Sequence, residues 1–146
     1  MPIAGRKDPF NATNFKVEID GIASSAFLSV TGIEADVTAE DYRDGNDKVN
    51  SARKLPGEAK FSNITLKRGL TADLSLWQWM QQTLDGKLTR KNVAIVMLTE
   101  AAEEVLRFTF VNAWPVKWSG PSLNAETSDV AIETLELAHE GLSVST

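Results

Sequence analysis

The feature that most constrains this chain is an alternation of apolar and polar residues with a period of two, repeated in short segments. Phe15, Val17 and Ile19 are apolar, whereas Lys16 and Glu18 between them are charged. Because successive side chains of a strand point to opposite faces of a sheet, this pattern predicts a half-buried β-strand. Similar short runs, several of them next to glycine, predict further strands over residues 26–30, 33–42, 61–66, 93–98, 106–110, 114–118 and 130–139.

Three of these segments predict how the strands are buried. The run VAIVML at 93–98 is apolar throughout, which predicts burial on both faces. The segment 130–139 does not alternate cleanly, and we interpret it as a bulged strand or one buried on different sides along its length. In 33–42 the residues expected to point inward are Ile33, Ala35, Val37 and Ala39. Together the segments predict a mainly β fold, an antiparallel barrel or sandwich of about seven or eight strands.

One segment has a helical period instead. Thr71 is a candidate N-cap and Gly86 is expected to end the helix, which the sequence places over about residues 72–84. The apolar side of this helix is formed by Leu76, Trp77, Met80 and Leu84. The sequence therefore predicts a single α-helix flanking the β-structure.

The two helical tryptophans have different expected positions. Trp77 lies at the centre of the apolar stripe and is predicted to be a core residue. Trp79 lies on the flank of the stripe, so we expect it either to be half-buried in the monomer or to be covered by a neighbouring subunit. Aromatic side chains are enriched at protein interfaces. Trp79 is therefore a candidate inter-subunit contact.

A long polar stretch separates two of the predicted strands. Residues 43–57 contain few apolar side chains and carry turn signals at Asp44-Gly45, Asn46 and Pro56-Gly57. Loops longer than about 12–15 residues in a compact domain are usually functional or disordered. We therefore predict a long loop over about residues 43–57.

Composition excludes several kinds of site. The chain has 146 residues, which we interpret as one domain (1–146) with a polar N-terminal arm over residues 1–13. Its net charge of −5 argues against nucleic acid as the main partner. With no cysteine and one histidine, neither a disulfide nor a zinc site of the usual kind is expected. No cofactor and no metal are predicted, and the N-terminus lacks a secretory signal, so we expect synthesis and folding in the cytosol.

No catalytic motif stands out. The Gly-x-Ser-x-Gly pattern of esterases is absent, and His139, the one histidine, is expected to be structural. An esterase-like enzyme that uses His139 remains an alternative. Trp114 and Trp118 are expected to share one face of a strand and to lie in the core. In a further alternative they form a stacking platform, and the chain is a small β-sandwich binding module for a glycan or protein ligand that does not self-stack.

Four longer segments resemble one protein family. They are RKLPG (53–57), ITLKRG (64–69), NAWPVKW (112–118) and VAIETLELAHEGL (130–142). The chain resembles, from about Asp8 to Leu142, the inner tube protein of contractile phage tails and of extracellular contractile injection systems. One departure follows RKLPG, where Glu58-Ala59 stands in place of the expected apolar or hydroxyl residues.

The resemblance implies a non-catalytic structural subunit. The implied fold is a β-barrel-like domain flanked by one helix, similar to the haemolysin-coregulated protein of type VI secretion. Hexameric rings would stack into a hollow tube, with a surrounding sheath protein, baseplate or tube-initiator proteins, and a lumenal cargo of effector protein or DNA as partners. The implied localisation is synthesis in the bacterial cytoplasm and assembly into a phage tail or a tail-like particle, including particles released from the cell. The loop would reach toward the adjacent ring, and its stacking candidates are Tyr42, Arg43, Asp44, Gly45, Asn46, Asp47, Arg53, Lys54, Leu55 and Pro56.

Overall fold

The computed structural model describes residues 8–42, 45 and 53–146. Within these residues the chain forms ten β-strands and one α-helix, which agrees with the predicted mainly β fold. The elements in chain order are β1 (Phe15–Ile19), β2 (Ile22–Ser25), β3 (Ser29–Thr31), β4 (Ala35–Tyr42), β5 (Arg53–Phe61), β6 (Ile64–Gly69), α1 (Ser75–Leu84), β7 (Lys91–Leu98), β8 (Glu104–Ser119), β9 (Ile132–Ala138) and β10 (Gly141–Ser145).

Eight of the strands form one antiparallel sheet, which is divided by β8. The strand order is β2-β1-β7-β8-β9-β6-β3, and β10 pairs with β8 as well. The first part of β8 pairs with β7 and β10, whereas its last part pairs with β9. We call the strands β2, β1, β7, β10 and the first part of β8 the first half-sheet. The second half-sheet consists of the last part of β8 with β9, β6 and β3.

The hydrophobic core contains apolar side chains from both half-sheets and from the helix. Val17, Ile95 and Phe110 come from the first half-sheet, and Leu66 and Leu135 come from the second. Each apolar side chain of this size stabilises the fold by about 1.5–3 kcal/mol when it is fully buried. The core residues of the helix are Leu76 and Trp79.

Strand β8 changes half-sheet through two irregularities. Its register with β7 shifts opposite Lys91 and Val93, next to Asn112, which has a φ of 52°. Asparagine is one of the few non-glycine residues that adopts this left-handed conformation readily. A second shift, relative to β9, occurs between Pro115 and Lys117. The segments 106–110 and 114–118, predicted as separate strands, are therefore parts of one bulged strand.

Strands β4 and β5 form a separate two-stranded sheet and correct two predictions. All eight residues of β4 are exposed, so the expected inward face of Ile33, Ala35, Val37 and Ala39 is wrong from Ala35 onward. The predicted loop over 43–57 is too long, because Arg53–Gly57 belong to β5 and Pro56-Gly57 is not a turn. The two errors have different causes. Strand β4 alternates apolar and polar residues although both of its faces are exposed, whereas Arg53–Gly57 carry no alternation because neither face of β5 is buried.

The helix begins later than predicted. Thr71 is not its N-cap; the Thr71 hydroxyl accepts a hydrogen bond from the amide of Asp73 at 3.2 Å. The Asp73 carboxylate in turn accepts one from the amide of Ser75 at 3.1 Å, and the helix starts at Ser75. Such local side-chain bonds offer the backbone an alternative to helical pairing. Gly86, with a φ of 79°, follows the helix end, as predicted.

Burial in two other segments shows where sequence patterns are informative. Val93, Ala94, Ile95 and Val96 are all buried, as the apolar run predicted. The segment 130–139 contains β9, which alternates regularly and pairs with β6 without a break, so the predicted irregularity is wrong. The alternation is hidden in the sequence because one inward residue is Glu133.

Candidate functional site

The β4–β5 hairpin is the most exposed element with a regular structure. Its register runs from Ala35 opposite Phe61 to Tyr42 opposite Arg53. An extra residue in β5 interrupts it near Gly57, where a Cβ atom would lie only 2.8 Å from the Glu40 carboxylate and 3.0 Å from the Thr38 carbonyl oxygen. A side chain at position 57 would therefore displace the Glu40 carboxylate and crowd the Thr38 carbonyl at this bulge.

The hairpin exposes apolar side chains together with paired charges. Val37 is 58% exposed, and Tyr42 and Leu55 are each 46% exposed. Exposed apolar patches rimmed by polar residues mark interaction surfaces. Lys54 forms an ion pair with Asp41 directly across the hairpin. Unlike charges on both strands give a contact surface specificity without a large net charge.

The structure brings part of the predicted stacking set together. Tyr42 lies opposite Arg53, and Lys54 and Leu55 follow along β5 to Pro56. Gly45 lies in a turn and is exposed. The remaining predicted residues, Arg43, Asp44, Asn46 and Asp47, lie outside the described residues.

Trp79 is not available for contact with another subunit. Its side chain is only 2% exposed, and its indole Nε1 donates a hydrogen bond to the carbonyl oxygen of Thr89 at 2.8 Å. The predicted inter-subunit contact is therefore wrong, and the expected order of the two tryptophans is reversed. Trp77 is only half-buried, 5.0 Å from Trp118 between ring centroids. The stripe was misplaced because it included Leu84, which is 63% exposed.

Trp114 and Trp118 do not share a face. Trp114 lies opposite Ala138, whereas Trp118 lies opposite the buried Leu135. Because the extra residue between Pro115 and Lys117 reverses the alternation, the two indoles point to opposite sides of the sheet. The stacking platform that the glycan-binding alternative requires is absent from this strand.

The environment of His139 agrees with the predicted structural role. Its Nε2 lies 2.9 Å from the carbonyl oxygen of Ser62, and its Nδ1 lies 3.2 Å from that of Gly141. The ring also packs edge-on against Phe110, with centroids 4.8 Å apart. Both ring nitrogens face backbone carbonyls, so neither is directed at a nucleophile. Among the described residues no group of acidic or histidine side chains is arranged to hold a metal ion.

Two ionic clusters lie in the half-sheets. On the first, Arg107 bonds to Glu104 at 2.8 Å and to Glu18 at 3.0 Å. These bonds raise the pKa of Arg107, and that of Glu104 is lowered, chiefly by its hydrogen bond with Arg107. On the second, the buried Arg68 pairs with the buried Glu133. Trp118 Nε1 also donates to Glu133, at 3.3 Å. These contacts organise the scaffold and offer no reaction chemistry.

Comparison with solved structures gives matches over nearly the whole chain. A chain of an extracellular contractile injection system, from a PVC sheath–tube complex in the extended state, matches with a TM-score of 0.84 and 26% identity over 94% of this chain and 91% of the other. A chain of the anti-feeding prophage baseplate, 6-fold symmetrised, matches with a TM-score of 0.82 and 24% identity over 96% and 97%. Hcp1 from Flavobacterium johnsoniae shares the fold, with a TM-score of 0.62 and 16% identity over 90% and 94%.

Sequence comparison agrees with the structural matches. A search of curated proteins gives no match. The family model of the T4-like virus tail tube protein gp19, however, matches residues 11–143. This range contains the hairpin, the helix and both half-sheets apart from the last two residues of β10. The chain therefore belongs to the gp19 tail tube protein family and is a structural subunit of a tube.

Proposed function

We propose that copies of this tube subunit close into rings of six, and that the rings stack through the β4–β5 hairpin into a hollow tube. The observation that carries the proposal is the hairpin itself. It is paired along its length, yet all of β4 and all but one residue of β5 are exposed. A lone two-stranded hairpin is only marginally stable in water. Contact with a neighbouring copy would cover the apolar side chains that this chain leaves in solvent.

Free strand edges support closure into a ring. Among the described residues, β3 pairs only with β6, and the last part of β8 pairs only with β9. The second half-sheet therefore has an unpaired edge on each side. Exposed edges are a liability in a monomer but can pair with a neighbour in an assembly. A contact between two different edges is head-to-tail, and such contacts produce rings when the rotation closes.

Six copies are proposed because the matching baseplate structure was determined with six-fold symmetry. The partners follow from the assemblies in which the relatives were solved, namely a sheath–tube complex and a baseplate. We propose a sheath around the tube, a baseplate or initiator at its end, and a protein or DNA cargo in its lumen. No enzymatic activity is assigned to the chain.

We propose synthesis in the bacterial cytoplasm and assembly in a phage tail or in a tail-like particle released from the cell. The relative in the sheath–tube complex belongs to an extracellular contractile injection system. Among the described residues, no helix is long and apolar enough to cross a membrane.

The stacking contact is proposed to involve the paired end of the hairpin and the residues that follow it. Tyr42 and Leu55 would supply apolar contact, and Arg53 and Lys54 would supply charge. The proposed stacking residues outside the described part of the chain are Arg43, Asp44, Asn46 and Asp47.

The test is electron microscopy of the purified chain, with its mass in solution measured alongside. The variant Tyr42→Ser/Leu55→Ser should retain the ring mass but form few stacked tubes. Leu123→Ser is a matched control, because Leu123 is 86% exposed and lies outside the hairpin. Tubes of normal length from the double variant would contradict stacking through the hairpin. A chain that stays monomeric at every concentration, in wild type and variants alike, would contradict self-assembly.

A further inference from the structure

The two faces of the β4–β5 hairpin differ in chemistry. Because successive side chains of a strand point to opposite faces, the odd-numbered residues of β4 lie on one face and the even-numbered ones on the other. Cross-strand pairing adds residues of β5 to each face. The first face, which we call the apolar face, consists of Ala35, Val37, Ala39, Pro56, Ala59 and Phe61, followed at the end near Tyr42 by the paired Asp41 and Lys54.

The opposite face, which we call the charged face, carries the other charges of the hairpin. Its paired members are Asp36, Thr38, Glu40, Tyr42, Arg53, Leu55 and Lys60. The extra residue of β5 leaves both Gly57 and Glu58 opposite Thr38. Alternation from Pro56 places Gly57 on the charged face, and alternation from Ala59 places Glu58 there as well.

No described residue of the subunit covers the apolar face. All six of its apolar members are exposed, and Val37 is 58% exposed. At its base this face meets the core through Phe61, whose ring lies 5.7 Å from that of His139 between centroids. Alternation of apolar and polar residues is the pattern of a strand with one face buried and one in water. Strand β4 therefore has the sequence of a half-buried strand, although the single subunit does not bury it.

We propose that the apolar face is covered by a second copy of this chain in the next ring, while the charged face stays in contact with water over most of its length. The inference rests on the proposed stacking and names the side of the hairpin that makes the contact. The chain is a tube subunit, so copies of itself are its neighbours in the assembly. The only charges on the apolar face, those of Asp41 and Lys54, are paired with each other, so covering this face buries no unpaired charge.

Burial of the charged face would be costly instead. Glu58 belongs to the bulge, where cross-strand pairing gives its carboxylate no counter-charge. Asp36 and Lys60 lie opposite each other, and both would lose their hydration. Tyr42 and Leu55, the large apolar members of this face, lie toward its end far from Gly32, where the stacking contact is already proposed. Covering the apolar face alone therefore removes apolar surface from water and leaves most of the charges hydrated.

The size of the contact explains why whole rings would stack and single subunits would not. The steps from Ala35 to Asp41 at about 3.4 Å per residue, over two strands about 4.8 Å apart, give a face of roughly 200 Å². One contact then buries roughly 400 Å² from both partners, whereas a stable specific interface needs about 1,000 Å². The contacts of a whole ring together bury about 2,400 Å², which exceeds that requirement. Contacts that are weak singly become strong when a ring makes them all at once.

The test uses cysteine, since the chain contains none. Ala39→Cys places a thiol on the apolar face, and Thr38→Cys is the matched control, one residue away on the charged face. Both positions are exposed in the subunit. Each variant is treated with a maleimide dye in assembled tubes and in the unstacked background Tyr42→Ser/Leu55→Ser, and the labelled fraction is measured by mass spectrometry.

We expect both thiols to be labelled in the unstacked background. In tubes, labelling of Ala39→Cys should be lost and labelling of Thr38→Cys should be kept. Two labelled thiols in tubes would overturn the proposal, because the apolar face would be uncovered. Two protected thiols would overturn it as well, because the hairpin would then be covered on both faces.

A second pair of variants reads the same two faces from β5. Ala59→Cys lies on the apolar face and Lys60→Cys on the charged face, so this pair replaces the first if Ala39→Cys itself prevents stacking. We expect protection of Ala59→Cys alone, and the same two contrary outcomes would overturn the proposal. If wild-type chains form no tubes, the proposed stacking fails instead, so the two failures are distinguishable.

Discussion

His139 lies with its Nε2 2.9 Å from the carbonyl oxygen of Ser62, which joins the turn after β9 to the corner between β5 and β6. That corner is where the β4–β5 hairpin leaves the second half-sheet. The hydroxyl of Ser62 also donates to the Glu34 carboxylate at 2.9 Å, and Glu34 lies in the connection between β3 and β4. The histidine therefore joins the base of the β4–β5 hairpin to the core.

Replacing this histidine should weaken both the fold and the stacking. His139→Phe removes the hydrogen bond that the imidazole N–H donates to a backbone carbonyl, and a net loss of about 0.5–1.5 kcal/mol lowers the free energy of unfolding. We expect a lower midpoint in urea denaturation and shorter tubes. Ser62→Ala separates the two contacts at this corner, since it removes the hydroxyl bond to Glu34 and keeps the carbonyl that His139 binds. Unchanged stability and tube length in His139→Phe would show that the contact does not hold the hairpin.

The chain bends at Gly32, between β3 and β4, and this position should tolerate no side chain. Its φ of 91° disfavours any L-residue, and the nearby Asn63 carbonyl leaves no room for a Cβ atom. We expect Gly32→Ala to destabilise the chain more than Gly86→Ala and to impair stacking. Gly86 also has a positive φ, 79°, but nothing lies within 4 Å of its Cβ position. Gly86→Ala therefore measures the backbone strain alone, about 1–2 kcal/mol. Equal losses in the two variants would contradict the role of close contact at the bend.

The strands of the core were predictable where burial alternates with exposure. β1 lies at Phe15–Ile19, where the alternation is strict. β9 was harder to interpret because its inward Glu133 hides the period, and only the structure shows that Arg68 satisfies this carboxylate. β5 is not visible as a strand from Arg53 to Gly57, because no face of it is buried. Its sequence carries no burial signal, and family resemblance alone pointed to assembly through this region.

The tryptophans show a different limit of sequence reasoning. The interpretation of Trp114 and Trp118 as neighbours on one face assumed an unbroken strand, and one extra residue at the Pro115–Lys117 bulge reverses that geometry. Bulges depend on tertiary pairing, so the local sequence does not specify them. Trp79 was misplaced for a similar reason, since the true stripe of the helix follows Leu76 and Trp79.

Removing only one partner of the buried Arg68–Glu133 ion pair should strongly destabilise the fold. Both side chains are at most 4% exposed. Arg68 Nη2 also donates a hydrogen bond, of 3.1 Å, to the carbonyl oxygen of Asp73, a residue just before the helix. Glu133→Leu leaves a buried guanidinium without its main counter-charge, which typically costs about 3–5 kcal/mol.

The matched variant is Arg68→Met/Glu133→Leu, which removes both charges. We expect it to recover much of the lost stability, because replacing a buried pair by apolar residues is often neutral. Chemical denaturation measures the free energy of unfolding of the wild type and of both variants. If Glu133→Leu alone were as stable as the wild type, this account of the pair would be contradicted.

The ionic cluster of the first half-sheet should make stability depend on pH in acid. Hydrogen bonds with Lys16 and then with Arg107 lower the pKa of Glu18 below the ordinary glutamate value of 4.5, and a hydrogen bond with Arg107 lowers that of Glu104. A carboxylate whose pKa is lower in the folded state contributes stability that is fully present above its unfolded pKa. This contribution is lost as the pH falls from about 4.5 through the lowered pKa of the folded state.

We expect the variant Arg107→Gln to be less stable than the wild type at pH 7. The difference in stability should shrink at lower pH, as both carboxylates are protonated. Thermal denaturation from pH 7 to pH 2.5 measures the difference, with Arg90→Gln as the control because Arg90 lies 3.8 Å from one exposed carboxylate, Glu140. A stability difference for Arg107→Gln that stays constant over this range would show that the cluster contributes by packing and not by charge.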